Sequence, residues 1–452
     1  MTATRLLKLA TIVALVGLWF IAAALLWRTR VPSDLHPPRL DAAALYGRAA
    51  LHRSTRYETF LRLDFVAGAI VGLAVLVLVV RTRRRIVGAF ELGRVGSGVM
   101  VGAAAAAFAW LGALPFRLAA EWWDHHYGIS RSGYGGWVLA QWLGLVVQVV
   151  VLAGAVTLVM LLADWFRRWW WVAAAPALVA GGAVFVFVAA FAAAAGTHPI
   201  RDGRLRREVH RLAVREGVGG TKVRIQNVSG DTRELNAEST GFGPSTVVVL
   251  WNTLMKAHLS RRAVEVVAAH ELGHVARRHV LKGLAWSLLF TLPLTLVLAE
   301  ATRRRGGLHR PDVVPLALLL GTALNLAVLP LENVVSRRYE AEADWQALQA
   351  THDPRAAEEA FRSFTSVDLA QPRSPAWAYV LLDDHPTPIQ RIAMARAWRR
   401  WSVAKNRRAM EPEASLATPT CRPRRLCRRG RLNPGEGDPA TTNRRAMEPA
   451  AV

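Results

Sequence analysis

Apolar residues along this chain gather into long blocks with short charged flanks, which is the pattern of membrane helices rather than of one soluble core. Residues 7–27 make an apolar run of about the twenty residues that cross a bilayer. The run is longer than a signal-peptide core and has no cleavage site before Arg28, so it reads as a retained anchor. Further runs lie at 65–80, 96–118, 136–163 and 170–195, each closed by charged or tryptophan-rich flanks such as Arg81-Thr82-Arg83-Arg84-Arg85. After a long polar stretch come 283–299 and 314–331, the second of which also fits a buried soluble helix. The pattern predicts seven spans with almost no ionisable residue at mid-depth, which disfavours a transporter.

The polar stretch, 198–282, changes period. Residues 203–214 repeat as a helix does, whereas 221–228 and 245–251 are β-branched and alternate or run apolar, as strands do. Ser260 is placed to cap a helix continuing to Val280. Beyond the seventh span, 336–350 and 354–369 read as two helices separated by the turn at Asp353-Pro354. The predicted fold is a mainly α membrane protein of seven transmembrane helices, with a small α/β insert between spans five and six and a disordered tail. Its parts are a five-span domain (1–196), the insert (197–282), spans six and seven (283–331), a C-terminal portion of the insert's domain (332–404) and the tail (405–452).

Composition agrees: of 452 residues, 52% are hydrophobic and 20% charged, too apolar for an ordinary soluble enzyme. The net charge of +24 is almost all arginine, with lysine only at 8, 222, 256, 282 and 405. These positives lie between apolar runs or in the tail rather than on one face, so no nucleic-acid partner is expected. Cys421 and Cys427 both fall in the arginine-rich tail, which excludes a disulfide framework or a thiolate metal site in the folded part. That tail repeats Asn-Arg-Arg-Ala-Met-Glu-Pro at 406–412 and 443–449, a single copy far short of a repeat architecture.

The chemistry sits in His270-Glu271-Leu272-Gly273-His274, an HExxH motif inside a segment already read as helical. Imidazoles one helical turn apart reach a single tetrahedral zinc, while Glu271, about 100° round the helix, flanks the metal as base to its water. A third ligand is needed. In the stretch 336–344, Glu340 and Asp344 share a face and Glu342 lies about 200° from Glu340, facing elsewhere. The spacing therefore assigns Glu340 as ligand and Asp344 as acceptor behind a ligand histidine, for one zinc ion per chain.

At these residues the chain resembles the CAAX prenyl protease type-one family of membrane zinc endopeptidases, with the related bacterial heat-shock membrane proteases. The resemblance runs over roughly residues 1–400, with five spans before the HExxH helix and two between it and the distal glutamate. Tyr127-Gly128-Ile129-Ser130 and Asp202-Gly203-Arg204-Leu205 also look like family segments. It implies that Asn236 and Ala237 align substrate backbone, that His385, before Pro386, donates to the oxyanion, and that Arg391 belongs to the substrate-binding signature. The chain departs from the family at Asn252, where an aspartate is usual, and around Gln141, where an acid and a lysine are missing.

These readings describe a peptide-bond hydrolase acting on a peptide or membrane protein in a lipid bilayer, in membrane-protein processing or quality control. The rivals are a proteolytically silent scaffold and an anionic-lipid binder working through the tail. A plasma-membrane protein is expected, and the resemblance implies a cytoplasmic catalytic side, although the arginines at 81–85 and 303–305 favour the opposite orientation. Natural substrate and oligomeric state are not written in the pattern. Deleting residues 405–452 is expected to leave proteolysis intact in a detergent assay, whereas the lipid-binding reading requires loss of function.

Overall fold

The computed structural model of the chain describes residues 3–90 and 92–410. Residues up to 404 belong to one compact unit, and beyond it only the first residues, at the end of the last helix, are described. Both cysteines and the second heptapeptide copy lie outside the described residues.

The membrane part opens with α1 (Ala3–Leu26), a short α2 (Ala42–Tyr46), α3 (Arg48–Gly88), α4 (Gly93–Tyr127), α5 (Tyr134–Phe166) and α6 (Trp170–Ala195). Five helical segments among the described residues are long and apolar enough to cross a membrane: Arg48–Gly88, Gly93–Tyr127, Tyr134–Ala195, His279–Arg303 and Pro311–Thr351. The third holds two of the expected runs, 136–163 and 170–195, divided by a 3-10 turn at Arg167–Trp169; the described apolar part of α1, Val13–Leu26, is shorter. Length and composition thus count five where the hydropathy pattern predicted seven. Apolar side chains such as Val146, Val150, Phe185 and Val188 stand exposed along these segments, as a lipid-facing surface does.

The insert follows as β1 (Thr197–Pro199), α7 (Gly203–Arg215), β2 (Lys222–Gln226), β3 (Ala237–Thr240), β4 (Val247–Trp251), α8 (Thr253–Lys256) and α9 (Arg261–Ala276). Its four strands lie in the order β1-β2-β4-β3, with β2 and β4 parallel and both outer pairs antiparallel. Asp202 caps α7 by accepting the amide hydrogens of Arg204 and Leu205, and Ser260 caps α9 by accepting that of Ala263. Leu205, Val209 and Leu212 of α7, Ile225 and Leu250 of the sheet, and Val264, Ala268 and Leu272 of α9 enclose one apolar core.

The remaining helices are α10 (His279–Arg303), α11 (Val314–Thr351), α12 (Pro354–Ser366), α13 (Ala376–Leu381) and α14 (Pro388–Met410). Three differences from the sequence reading matter. The HExxH helix does not continue to Val280: it stops at Ala276, Arg278 takes a left-handed conformation (φ 54°, ψ 41°), and α10 starts at His279. The seventh apolar run and the 336–350 helix are one continuous helix, α11, so Glu340 is carried on the same helix as a membrane segment. Finally, α14 runs to Met410, past the boundary at 405 that composition marks. Residues 411–452, where the rest of the expected disordered tail falls, lie outside the described residues.

Candidate metal centre

Helices α9 and α11 pack closely because the facing residues are small. A Cβ on Gly273 would come within 3.1 Å of Gln346 Cβ and 3.4 Å of the Ala343 carbonyl oxygen. Across this contact His270, Glu271, Glu340 and Asp344 are all buried. His270 Nε2 lies 3.1 Å from Glu340 Oε2 and 3.1 Å from His274 Nε2, and His274 Nε2 lies 3.3 Å from Glu340 Oε1. Tetrahedral coordination at zinc's 2.0–2.1 Å bonds places neighbouring donor atoms roughly 3.3 Å apart, so the three side chains already have the spacing a zinc ion demands.

Their protonation fits as well. His270 Nδ1 is 2.9 Å from Asp344 Oδ1 and donates to it, which leaves Nε2 as a lone pair facing the other donors. Glu340 Oε2 is buried and receives no hydrogen bond although His270 Nε2 stands beside it. Lone pairs converging on one buried point repel unless a cation sits among them. His270 registers that demand: burial works against its charged form, yet the hydrogen bonds and charges of Asp344 and Glu340 outweigh this and raise its pKa to about 10. A proton and a metal ion compete for its Nε2 nitrogen.

Behind His270, Asp344 is fixed from the other side by Arg391, with Nε 2.9 Å from Oδ2 and Nη2 2.6 Å from Oδ1. Both groups are buried, and the guanidinium also lies 4.4 Å from the ring centre of Phe361. Arg391 lines the neighbouring cavity, with its Nε and Nη2 turned to Asp344.

That cavity, of about 280 Å³, is lined by Asn236, Ala237, Glu271 and His385 on its polar side and by apolar residues including Leu235 and Phe361. Burial pushes the Asp368 carboxyl on its wall well above the usual carboxylate range, despite the 2.9 Å bond from the Leu235 amide. Ala237 begins β3, the edge of the sheet, and Trp251 N–H donates to the Asn236 carbonyl, fixing that edge against β4. His385 Nδ1 is 2.7 Å from Asp384 Oδ1, and its Nε2 reaches 3.4 Å from Glu340 Oε2. Burial opposes the imidazolium here, but Asp384 and Glu340 prevail and the His385 pKa is raised.

The structure thus brings His270, His274, Glu340, Asp344 and Arg391 into one cluster, with Glu271, His385, Asn236 and Ala237 round the adjoining cavity. Two neighbours were not foreseen. Glu342 does turn away from the metal donors, but it is fully buried, and His279 Nδ1 lies 2.9 Å from His274 Nδ1. Nothing in Arg277-Arg278 signals the break that brings His279 there, since neither residue is a turn former.

Residues 199–399 match the model of peptidase family M48. Among curated proteins, the uncharacterized metalloprotease YhfN of Bacillus subtilis is 30% identical over 208 residues, 44% of this chain and 49% of that protein. The CAAX prenyl protease 1 homolog of Oryza sativa subsp. japonica is 26% identical over 208 residues, covering 43% and 48%. A protease HtpX homolog of Limosilactobacillus fermentum is 27% identical over 160 residues, covering 33% and 54%. The chain therefore spans about half the length of these relatives. In fold it is similar to the crystal structure of S. mikatae Ste24p, with a TM-score of 0.67, 17% identity, and coverage of 84% of this chain and 96% of that one.

Removing the cation from the Asp344–Arg391 pair strands a buried carboxylate. Arg391→Met is expected to cost about 3–5 kcal/mol of stability, read as a lower thermal transition in detergent, and to speed the loss of zinc to a chelator.

Proposed function

Residues 199–399 of this chain belong to peptidase family M48, and on that premise we propose that the protein is a membrane zinc endopeptidase of membrane-protein processing or quality control. The observation that carries the reading is the convergence of His270, His274 and Glu340, whose donor atoms all lie within 4.8 Å of one another, beside a cavity that holds Glu271.

These three residues would hold zinc, which when bound lowers the pKa of a coordinated water to about 7 and polarises the scissile carbonyl. Glu271 takes the proton of the attacking water and delivers it to the leaving amine. It flanks the ligands from the same helix, as a base must, without joining them. His385 presents Nε2–H, held by Asp384 on the far side of the ring, to the carbonyl oxygen as that atom gains negative charge. The free edge of β3 at Ala237 takes the substrate as an extended strand, held by main-chain hydrogen bonds. Arg391 acts through Asp344, keeping the His270 ring oriented, rather than by touching substrate.

The apolar wall of the cavity favours an apolar substrate side chain next to the scissile bond. Glu340 follows the apolar run 314–331 on α11, which would bring the site within reach of segments leaving a bilayer. A seven-crossing topology in the plasma membrane with the catalytic side in the cytoplasm is the arrangement we favour.

The decisive experiment purifies the full chain in detergent, measures zinc per chain and follows cleavage of an unfolded or membrane-protein substrate. Glu271→Gln is expected to retain zinc and lose about 10²–10⁴-fold in rate, the range of general acid–base catalysis; equal cleavage by both proteins would overturn the mechanism. His385→Ala is expected to lower kcat by about 10²–10³-fold with little change in KM, as loss of an oxyanion donor does.

A further inference from the structure

His270 has a carboxylate at its back, and His274 has none. We propose that His279 and Glu342 form a hydrogen-bonded relay that positions His274 for the metal, a role that rests on the zinc-site reading above. His274 turns Nε2 to the metal donors and Nδ1 to His279 Nδ1, 2.9 Å away, with the two rings at 82°. His279 Nε2 lies 3.3 Å from Glu342 Oε2.

Glu342 fixes the direction of every proton in this row. Its side chain is fully buried, and its Oε1 accepts from Arg277 Nε at 2.7 Å and from the backbone N–H of Arg30 at 3.2 Å. Lys282 Nζ stands 3.5 Å from Oε2. A carboxylate so paired accepts only, so His279 Nε2 carries the proton and donates. The neutral His279 ring then offers a lone pair at Nδ1, His274 Nδ1–H donates to it, and His274 Nε2 is left as a lone pair toward the metal. The relay selects the one tautomer in which His274 is a ligand.

Local backbone makes this possible. In an unbroken helix a residue five places after His274 would sit about 140° round the axis, out of reach. The left-handed Arg278 breaks the helix and returns the His279 ring to His274. Tyr339 then fixes the ring plane: it stacks on His279 at 4.6 Å and 10°, accepts from Trp286 Nε1 at 2.8 Å and donates to the Leu26 carbonyl at 3.0 Å. Tyr339 and Glu342 bracket the ligand Glu340 on α11, so one helix supplies a metal donor on one face and supports the opposite histidine from the other.

His279→Phe tests the relay, because it preserves the ring and its stacking on Tyr339 while removing both nitrogens. Zinc affinity is measured by chelator competition on the full chain in detergent, and the thermal transition of each zinc-stripped protein is recorded alongside. His279→Phe is expected to weaken zinc about 10–100-fold, as loss of a ligand's outer hydrogen bond does, while its stripped form melts with the stripped wild type. His279→Gln, whose amide can accept from His274 and donate to Glu342, should recover most of the affinity. Glu342→Gln should weaken zinc in the wild type and add nothing further in the His279→Phe background. Unchanged zinc affinity in His279→Phe, or independent losses in the double variant, would overturn the relay. Should His279→Phe fail to fold, Glu342→Gln alone decides, and full zinc affinity in that variant would overturn it equally. A wild type that binds no zinc would instead sink the metal reading beneath it.

Discussion

The close crossing of α9 and α11 is the contact on which the site depends. Neither helix alone holds three metal donors: α9 brings two imidazoles on one turn, and α11 brings the carboxylate. They converge only because Gly273 lets the Ala343 backbone approach and because Ala268, Ala269, Ala343 and Ala347 keep the neighbouring interface thin, each 1% exposed or less. The same crossing sets Asp344 behind His270, so ligand spacing and ligand orientation come from one packing event. Helix α11 is continuous with a membrane segment, and Pro330 lies inside it, ahead of Glu340.

The outer ends of the membrane helices do more than stop at the lipid surface. Helices α3 and α4 begin before or run past their apolar runs, and Tyr57, Trp123 and Ile129 at those ends pack against Leu369, just beyond α12. Trp123 Nε1 donates to the Tyr57 carbonyl, and buried Arg62 donates to Gln371 and Ser374. The turn after α4 joins the insert directly, with Arg131 N–H donating to the Asp231 carbonyl and Arg233 N–H to that of Ile129. The catalytic part is thus seated on the membrane helices through polar and aromatic contacts that hydropathy does not register.

Legibility in the sequence followed the range of the interaction. Features set within one or two turns were readable: the cap at Ser260, the apolar strand β4, the paired imidazoles, and the shared face of Glu340 and Asp344. Features set by a distant partner were not. Strand β3, Ala-Glu-Ser-Thr, has no strand periodicity and exists because β4 pairs with it; β1 is three residues ending in proline. The break at Arg278 was missed because neither arginine is a turn former, and Arg277 points inward to a buried glutamate that lies far along the chain. Glu342 was correctly turned away from the metal by helical geometry, but facing away from one site did not mean facing water.

Charge balance singles out one carboxylate of α11 as the candidate metal ligand. Glu340, Glu342 and Asp344 are all buried within two turns of one helix, and a buried carboxylate is costly unless a positive group or several donors compensate it. Asp344 has the guanidinium of Arg391, and Glu342 has Arg277 with Lys282 close by. Glu340 has no arginine or lysine bridging it among the described residues; it meets three imidazoles, two of which turn lone pairs toward it when their Nδ1–H groups donate to Asp344 and His279. One buried anion is left without its cation at the point where two neutral nitrogens converge. Folding therefore leaves a deficit of positive charge at that point, which a divalent ion satisfies.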